Sequence, residues 1–314
     1  MAYYLGIDCG GTYIKGGIVD ETGKIYVKDK IPTEVKKGTG KIIENIATLA
    51  ITLAEKLGIS ISSVKGMGIG IPGIMDEKKG VVIRAYNLNL FDAQIIKPLE
   101  ERLKIKVSIS NDANCATLGE GLFGSGKGEN SVILITLGTG VGGGVLINKK
   151  LLETNLTQGL ELGHIVIKAN GRKCSCGLKG CFEAYSSATA LVKEGKKQAK
   201  KNKNSLLYLE SDNGKNITSE LIFALAKKDD TAKNVIDDYI KHLSIGLTSL
   251  ANVFRPNSII LSGGISAQGE NLILPLQRRL DNQIFGGSAS VRVIIKEATL
   301  KNDAGLLGAA ALNM

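Results

Sequence analysis

The stretch Tyr3-Tyr4-Leu5-Gly6-Ile7-Asp8-Cys9-Gly10-Gly11-Thr12, followed by Ile14, Gly16, Ile18 and Val19, decides the fold. Residues 3 to 8 alternate loosely as a strand does, and the glycine pair makes a small-residue turn. The apolar residues beyond it predict a second strand that turns back through Glu21-Thr22-Gly23-Lys24. Further on, Ile43, Ile46, Ala47, Ala50, Leu53, Ala54 and Leu57 recur at helical spacing, which predicts a helix over 42–57 closed by Gly58. Val64 to Ile71 then reads as a strand ending in Gly70-Ile71-Pro72-Gly73.

The same grammar returns in the second half. Ser131 to Ile135 is an apolar strand, Gly138-Thr139-Gly140 its turn, and Val141 to Ile147 the returning strand. A long amphipathic helix through Val235, Ile236, Tyr239, Ile240, Leu243, Leu247 and Leu250 precedes the buried strand Ile259 to Leu261 and the turn Ser262-Gly263-Gly264. Two copies of strand, glycine turn, strand and later helix predict two α/β domains of one design facing across a cleft. The expected domains are 1–115, joined by a C-terminal helix 303–314, and 116–302, the latter carrying a loop at 161–183.

Asp8 with Gly10, Gly11 and Thr12 makes a turn whose amide hydrogens can approach phosphate oxygens, while the carboxylate can hold Mg²⁺. Either glycine turn alone is an ordinary tight turn that needs positive φ; two together point to a ligand carrying several phosphates. Neither has the lysine spacing of a Walker loop, and neither opens directly into a helix as a dinucleotide fingerprint does. Gly263-Gly264 either lets a flat base lie on bare backbone or is a plain strand-to-helix turn. Asn111-Asp112 follows the strand Val107 to Ile109 at the start of a small-residue helix. Asp112 is a helix cap or, with a hydroxyl in reach, a general base.

His164, Cys174, Cys176 and Cys181 place four soft ligands within eighteen residues, between Glu161 and Glu183. Three thiolates and an imidazole suit tetrahedral Zn²⁺, and a closed four-ligand shell makes the ion structural. A disulfide competes for the same cysteines, but a C-x-C pair bridges poorly and five cysteines is an odd number. Cys9 and Cys115 stand apart in apolar or glycine-rich surroundings and read as inert.

At 314 residues and 43% hydrophobic content, the chain can build two ordinary cores. The uncharged run Asn130 to Asn148 is interrupted by two threonines and five glycines, which argues against a membrane span. Nothing at the amino terminus resembles a secretory signal, so a cytoplasmic protein is expected. The net charge of +10 raises nucleic acid as a partner. Its excess, however, gathers at Lys193, Lys196, Lys197, Lys200, Lys201 and Lys203 with no interleaved aromatics, a solvated helix face rather than a binding track.

These motifs resemble those of the ROK (repressor, open reading frame, kinase) family of sugar kinases, and its bacterial glucokinases above all. Asp8 to Thr12 is similar to its first phosphate turn, Gly138 to Gly144 to its second and Ser262-Gly263-Gly264 to its adenosine turn. Glu161-Leu162-Gly163-His164 with Cys174 to Glu183 is similar to its sugar and zinc signature. The resemblance implies an actin/hexokinase-like (RNase H-like) fold of two domains around a cleft with a zinc-bound loop. It further implies ATP and Mg²⁺ as cofactors, structural Zn²⁺ on His164, Cys174, Cys176 and Cys181, and a homodimer or tetramer.

By the same resemblance Asp112 is the catalytic base that takes the proton of a hexose hydroxyl, the 6-hydroxyl of glucose in a glucokinase. Pro72, Gly73, Asn87, Asn111, Gly140, Glu161, His164 and Glu183 bind the sugar. Asp8, Gly10, Gly11, Thr12, Lys15, Gly138, Thr139, Gly140, Gly263 and Gly264 bind the nucleotide. An N-acetylhexosamine (N-acetylmannosamine or N-acetylglucosamine), fructose or allose is the alternative substrate, and a non-catalytic sugar sensor the remote one. The first glycine turn begins so early that a winged-helix domain ahead of it is not expected. The chain departs from the family pattern at Tyr13, with Lys15 nearby, and at Thr154 and Leu160.

Overall fold

Alternation along β1 (Tyr3–Cys9) sends Leu5, Ile7 and Cys9 to one face of a sheet, where they join a core with Ile46, Leu49 and Leu53 of α1 (Thr39–Leu57). Gly6 and Asp8 point to the other face, against the last helix of the chain, α10 (Ala304–Ala311). The computed structural model describes residues 2–152, 160–289 and 291–314; Thr154 lies outside them.

The chain divides into two compact units. The first comprises Met1–Ser131, Gly144–Leu160 and Thr299–Met314, and the second Val132–Gly143 and Glu161–Ala298. In the first, β1 pairs antiparallel with β2 (Tyr13–Asp20), and β2 with β3 (Ile25–Pro32). On its other edge β1 runs parallel to β4 (Val64–Ile71), and β4 to β8 (Val107–Asn111). A separate three-stranded sheet is made of β5 (Ile74–Asp76), β6 (Val81–Ala85) and β7 (Leu90–Gln94). The helices α2 (Ile96–Leu103) and α3 (Asp112–Leu122) flank β8 in sequence.

The second large sheet has the order β11-β10-β9-β12-β13, matching β3-β2-β1-β4-β8 position for position. Its strands are β9 (Val132–Leu137), β10 (Val141–Ile147), β11 (Lys150–Leu151), β12 (Ser258–Ser262) and β13 (Ile294–Glu297). Among the described residues six α-helices belong to the second unit: α4 (Glu183–Ser186), α5 (Ala188–Lys201), α6 (Leu206–Leu209), α7 (Ser219–Leu225), α8 (Asp230–Phe254) and α9 (Glu270–Gln283). The shared strand order gives physical form to the repeated sequence grammar. The lysines of α5 are exposed, on a helix whose Leu191, Gly195 and Ala199 are buried.

The domain boundary expected after residue 115 falls inside α3. That helix packs on α10 so closely that a Cβ at Gly308 would overlap the Cys115 carbonyl, so α3 stays whole within the first unit. Among the described residues no helix is long and apolar enough to cross a membrane.

Candidate active site

In the first unit the parallel strands end level with one another. Asp8 is in register with Gly70, Gly70 with Ser110 and Ile71 with Asn111. The first glycine turn, the Pro72-Gly73 loop and the Asn111-Asp112 step therefore leave the same edge of the sheet, the carboxyl edge where open α/β sheets bind ligands. The first turn is closed by the Gly10 N–H donating to the Tyr13 carbonyl at 3.1 Å. Thr33 of the neighbouring strand end fastens it: its hydroxyl donates to the Gly10 carbonyl at 2.6 Å, and its N–H to the Thr12 carbonyl at 3.0 Å. Thr33 carries no sequence signal, because only the pairing of β2 with β3 brings it there.

Asn87 sits on a single exposed turn beside that motif, its carbonyl 3.2 Å from where a Cβ of Gly11 would lie. Lys15 is opposite Asp8 in the β1–β2 register, and its Nζ is 3.5 Å from Asp8 Oδ2. Burial raises the Asp8 pKa above the usual carboxylate value, with Lys15 opposing the rise.

The cap of α3 is Asn111. Its Oδ1 accepts the N–H groups of Ala113 (2.9 Å) and Asn114 (3.4 Å), and its Nδ2 donates to the Gly73 carbonyl at 3.2 Å. Asp112 is consequently the first helical residue and not the cap, and one of its oxygens accepts the Ala113 N–H at 2.9 Å. Its side chain is open to solvent but recessed among packed groups. That crowding, and after it the negative charge of Asp8, raises its pKa. Cys115, one turn further on, is fully buried with a thiol pushed well up, and Cys9 is held at about 12, so both are inert.

In the second unit Thr136 of β9 is in register with Ser262 of β12, so the Gly138-Thr139-Gly140 and Gly263-Gly264 turns emerge from adjacent strand ends. The start of α5 ties down the first of these. The Ala188 N–H donates to the Gly138 carbonyl at 2.8 Å and the Thr189 hydroxyl to the Thr139 carbonyl at 2.8 Å. The Gly142 N–H donates to Thr136 Oγ1 at 3.2 Å. Gly264 has no neighbour within 4 Å of where a Cβ would stand, an open strip of backbone.

His164, Cys174, Cys176 and Cys181 converge, with one ligand atom from each lying within 4.8 Å of all the others. Cys174 Sγ is 3.6 Å from His164 Nδ1, and the sulfurs of Cys176 and Cys181 are 3.7 Å apart. Zn–S bonds of about 2.3 Å and Zn–N bonds of about 2.05 Å in a tetrahedron put adjacent ligand atoms roughly 3.6–3.8 Å apart, so the cluster fits the ion. None of the five cysteines is in a disulfide. The loop is pinned from below: Phe182 is fully buried against Gly246 of α8, and Tyr185 stacks on His242 with ring centroids 4.5 Å apart.

The two carboxylates beside the cluster differ. Glu161 is exposed, at the head of a short turn in which the His164 N–H donates to its carbonyl at 3.0 Å. Gly163 in that turn presses on the Val141 carbonyl with no room for a Cβ, which draws Glu161 and His164 up to the second glycine turn. Glu183, the first residue of α4, accepts the Val141 N–H at 3.1 Å.

Two five-stranded sheets of matched strand order, glycine turns at their strand ends and a Cys/His cluster define an actin/hexokinase-like kinase fold. The ROK family profile matches residues 4–314, and the chain belongs to that family. A glucokinase from Halalkalibacterium halodurans is 35% identical over 311 residues, which cover 98% of this chain and 93% of the relative. The crystal structure of a ROK family glucokinase from Streptomyces griseus in complex with glucose and AMPPNP is 33% identical, with a TM-score of 0.78 and 99% of each chain covered. A xylose repressor from Bacillus spizizenii is 30% identical over 285 residues, covering 90% of this chain but only 70% of the repressor.

Proposed function

We propose that the chain is an ATP-dependent glucose kinase that transfers the γ-phosphate to the sugar 6-hydroxyl. Near-full-length similarity to glucokinases supports this reading, whereas the repressor relative is matched over a smaller share of its own length. The observation that carries it is the Asp112 carboxylate, which shares the Ala113 N–H with the cap Asn111, keeps its second oxygen and stands at the strand edge that also bears the first glycine turn.

In this reading Asp112 accepts the hydroxyl proton as the oxygen attacks phosphorus. By the resemblance to the ROK kinases, Asn111 and the Pro72, Gly73 and Asn87 loops are sugar-binding residues, as are Glu161, His164 and Glu183. His164, Cys174, Cys176 and Cys181 would hold zinc; with His164 Nδ1 turned toward Cys174, the other ring nitrogen would be left for a sugar hydroxyl. The amide groups of Gly10 to Thr12 and Gly138 to Gly140 cradle phosphates, and Gly263-Gly264 receives the base. Asp8 offers carboxylate oxygen to the Mg²⁺ that accompanies ATP, an ion that neutralises charge on the transferring phosphoryl group when bound. Phosphoryl transfer is governed by positioning and charge neutralisation, which a lone base, two amide turns and a rigid polar loop supply. The free thiols suit the cytoplasm as the compartment.

A kcat/KM panel with ATP and Mg²⁺ over glucose, mannose, fructose and the N-acetylhexosamines tests the reading. Glucose is expected to rank first. A higher value for another sugar overturns the substrate, and no ADP release with any of them overturns the kinase.

A further inference from the structure

Both oxygens of Glu183 are engaged before any ligand arrives. Oε2 accepts the Val141 N–H at 3.1 Å. Oε1 accepts the Ser175 hydroxyl at 2.9 Å, with the Cys174 sulfur 3.6 Å away. Oε2 occupies space that a Cβ at residue 140 would overlap, so with glycine there the carboxylate can take this position and with alanine it would have to shift. Three parts of the second unit thus meet on one side chain: the glycine turn through Gly140 and Val141, the metal loop through Ser175, and α4 through Glu183 itself.

Ser175 stands between two of the four metal ligands, so whatever holds Cys174 and Cys176 also holds its backbone. A glutamate has three rotatable bonds, and an unrestrained one must be ordered by every incoming ligand at an entropic cost. An ionised carboxylate has about four acceptor positions, of which two are taken here. The others stay free while the plane of the group is set.

We propose that Ser175 is a positioning residue for sugar recognition and that Gly140 is the seat against which it works. Together they orient the Glu183 carboxylate so that its remaining lone pairs meet sugar hydroxyls. This rests on the reading of Glu183 as a sugar ligand. It gives a physical reason for the double place of Gly140, in the phosphate turn and among the sugar-binding residues.

The test compares Ser175→Ala, Ser175→Thr, Gly140→Ala and Glu183→Ala, each with zinc content measured, and with glucose affinity read both as KM and by calorimetry without ATP. Losing the restraint that pre-orders the carboxylate predicts a glucose KM raised about 5- to 15-fold in Ser175→Ala. Its ATP KM and zinc content should be unchanged, and its kcat should fall less than its KM rises. Ser175→Thr should restore glucose affinity, and Gly140→Ala should weaken glucose at least as much as ATP. Wild-type glucose affinity in Ser175→Ala, or a loss that merely tracks missing zinc, overturns the proposal. Glu183→Ala separates the two levels. If it binds glucose normally, the sugar role of Glu183 fails; if it does not while Ser175→Ala does, only the positioning role fails.

Discussion

At Asp112 a single neighbour decides what the side chain can do. An aspartate opening a helix ordinarily spends its oxygens on the first-turn amides. Here Asn111 takes that duty with two N–H bonds, and Asp112 keeps an oxygen for other work. Asp112→Asn is expected to bind glucose and ATP but to lose turnover by about 10²- to 10⁴-fold, the usual worth of a general base, in a coupled ADP-release assay. An undiminished rate removes Asp112 from that role.

The raised pKa of Asp112 also makes a statement about stability. A carboxyl whose folded pKa exceeds its unfolded value binds more protons in the folded state, so its contribution is present at low pH and is lost as pH rises through the folded value. The ligand-free Asp112→Asn protein should therefore melt above wild type at pH 7. The gap should close as pH falls toward the unfolded aspartate value of about 3.9, and solvent access at Asp112 keeps it small. A gap that widens on acidification contradicts the direction of the shift.

The metal loop between His164 and Cys181 is the element most dependent on a single partner. Apart from the short bridges Val166–Cys181 and Lys173–Lys179 and a few turn hydrogen bonds it has no regular structure, so ligation at its four converging side chains would add much of its rigidity. Native protein should contain about one zinc per chain by metal analysis. Because zinc ligation can contribute ~10 kcal/mol or more of coupled folding, Cys176→Ser or a strong chelator should cause aggregation or a large loss of thermal stability. The anchors Phe182 and Tyr185 belong to α8 packing, which explains how one loop can orient both His164 and Glu183.

On the scale of the whole molecule, the two large sheets share one strand order, and in each the glycine turns leave from neighbouring strand ends. We propose that the chain assembles as a homodimer, following its resemblance to the ROK kinases. Light scattering at assay concentration should return twice the 33.2 kDa chain mass, and a monomer would remove that expectation.

Local signals read well. The helix predicted over 42–57 spans Thr39–Leu57, and the strand predicted from Val64 to Ile71 has those bounds. Both follow from side-chain period and from Gly58, whose left-handed conformation ends the helix. The convergence of His164, Cys174, Cys176 and Cys181 was equally legible, because they lie close together in sequence. The three-stranded sheet β5-β6-β7 was not, since its short strands mix charged and apolar residues without a clean period.

The sequence by itself determined the strand-and-turn repeat, the main helices and the membership of the Cys/His cluster, all of which arise from backbone sterics and short-range spacing. Only the tertiary structure decided that α3 remains whole in the first unit, that Asn111 caps it by reaching also to Gly73, that Thr33 fastens the first turn, and that Glu183 sits where Gly140 leaves room. Each of these depends on contacts between segments distant in the chain or on competition for one hydrogen bond, and neither leaves a periodic trace in the order of residues.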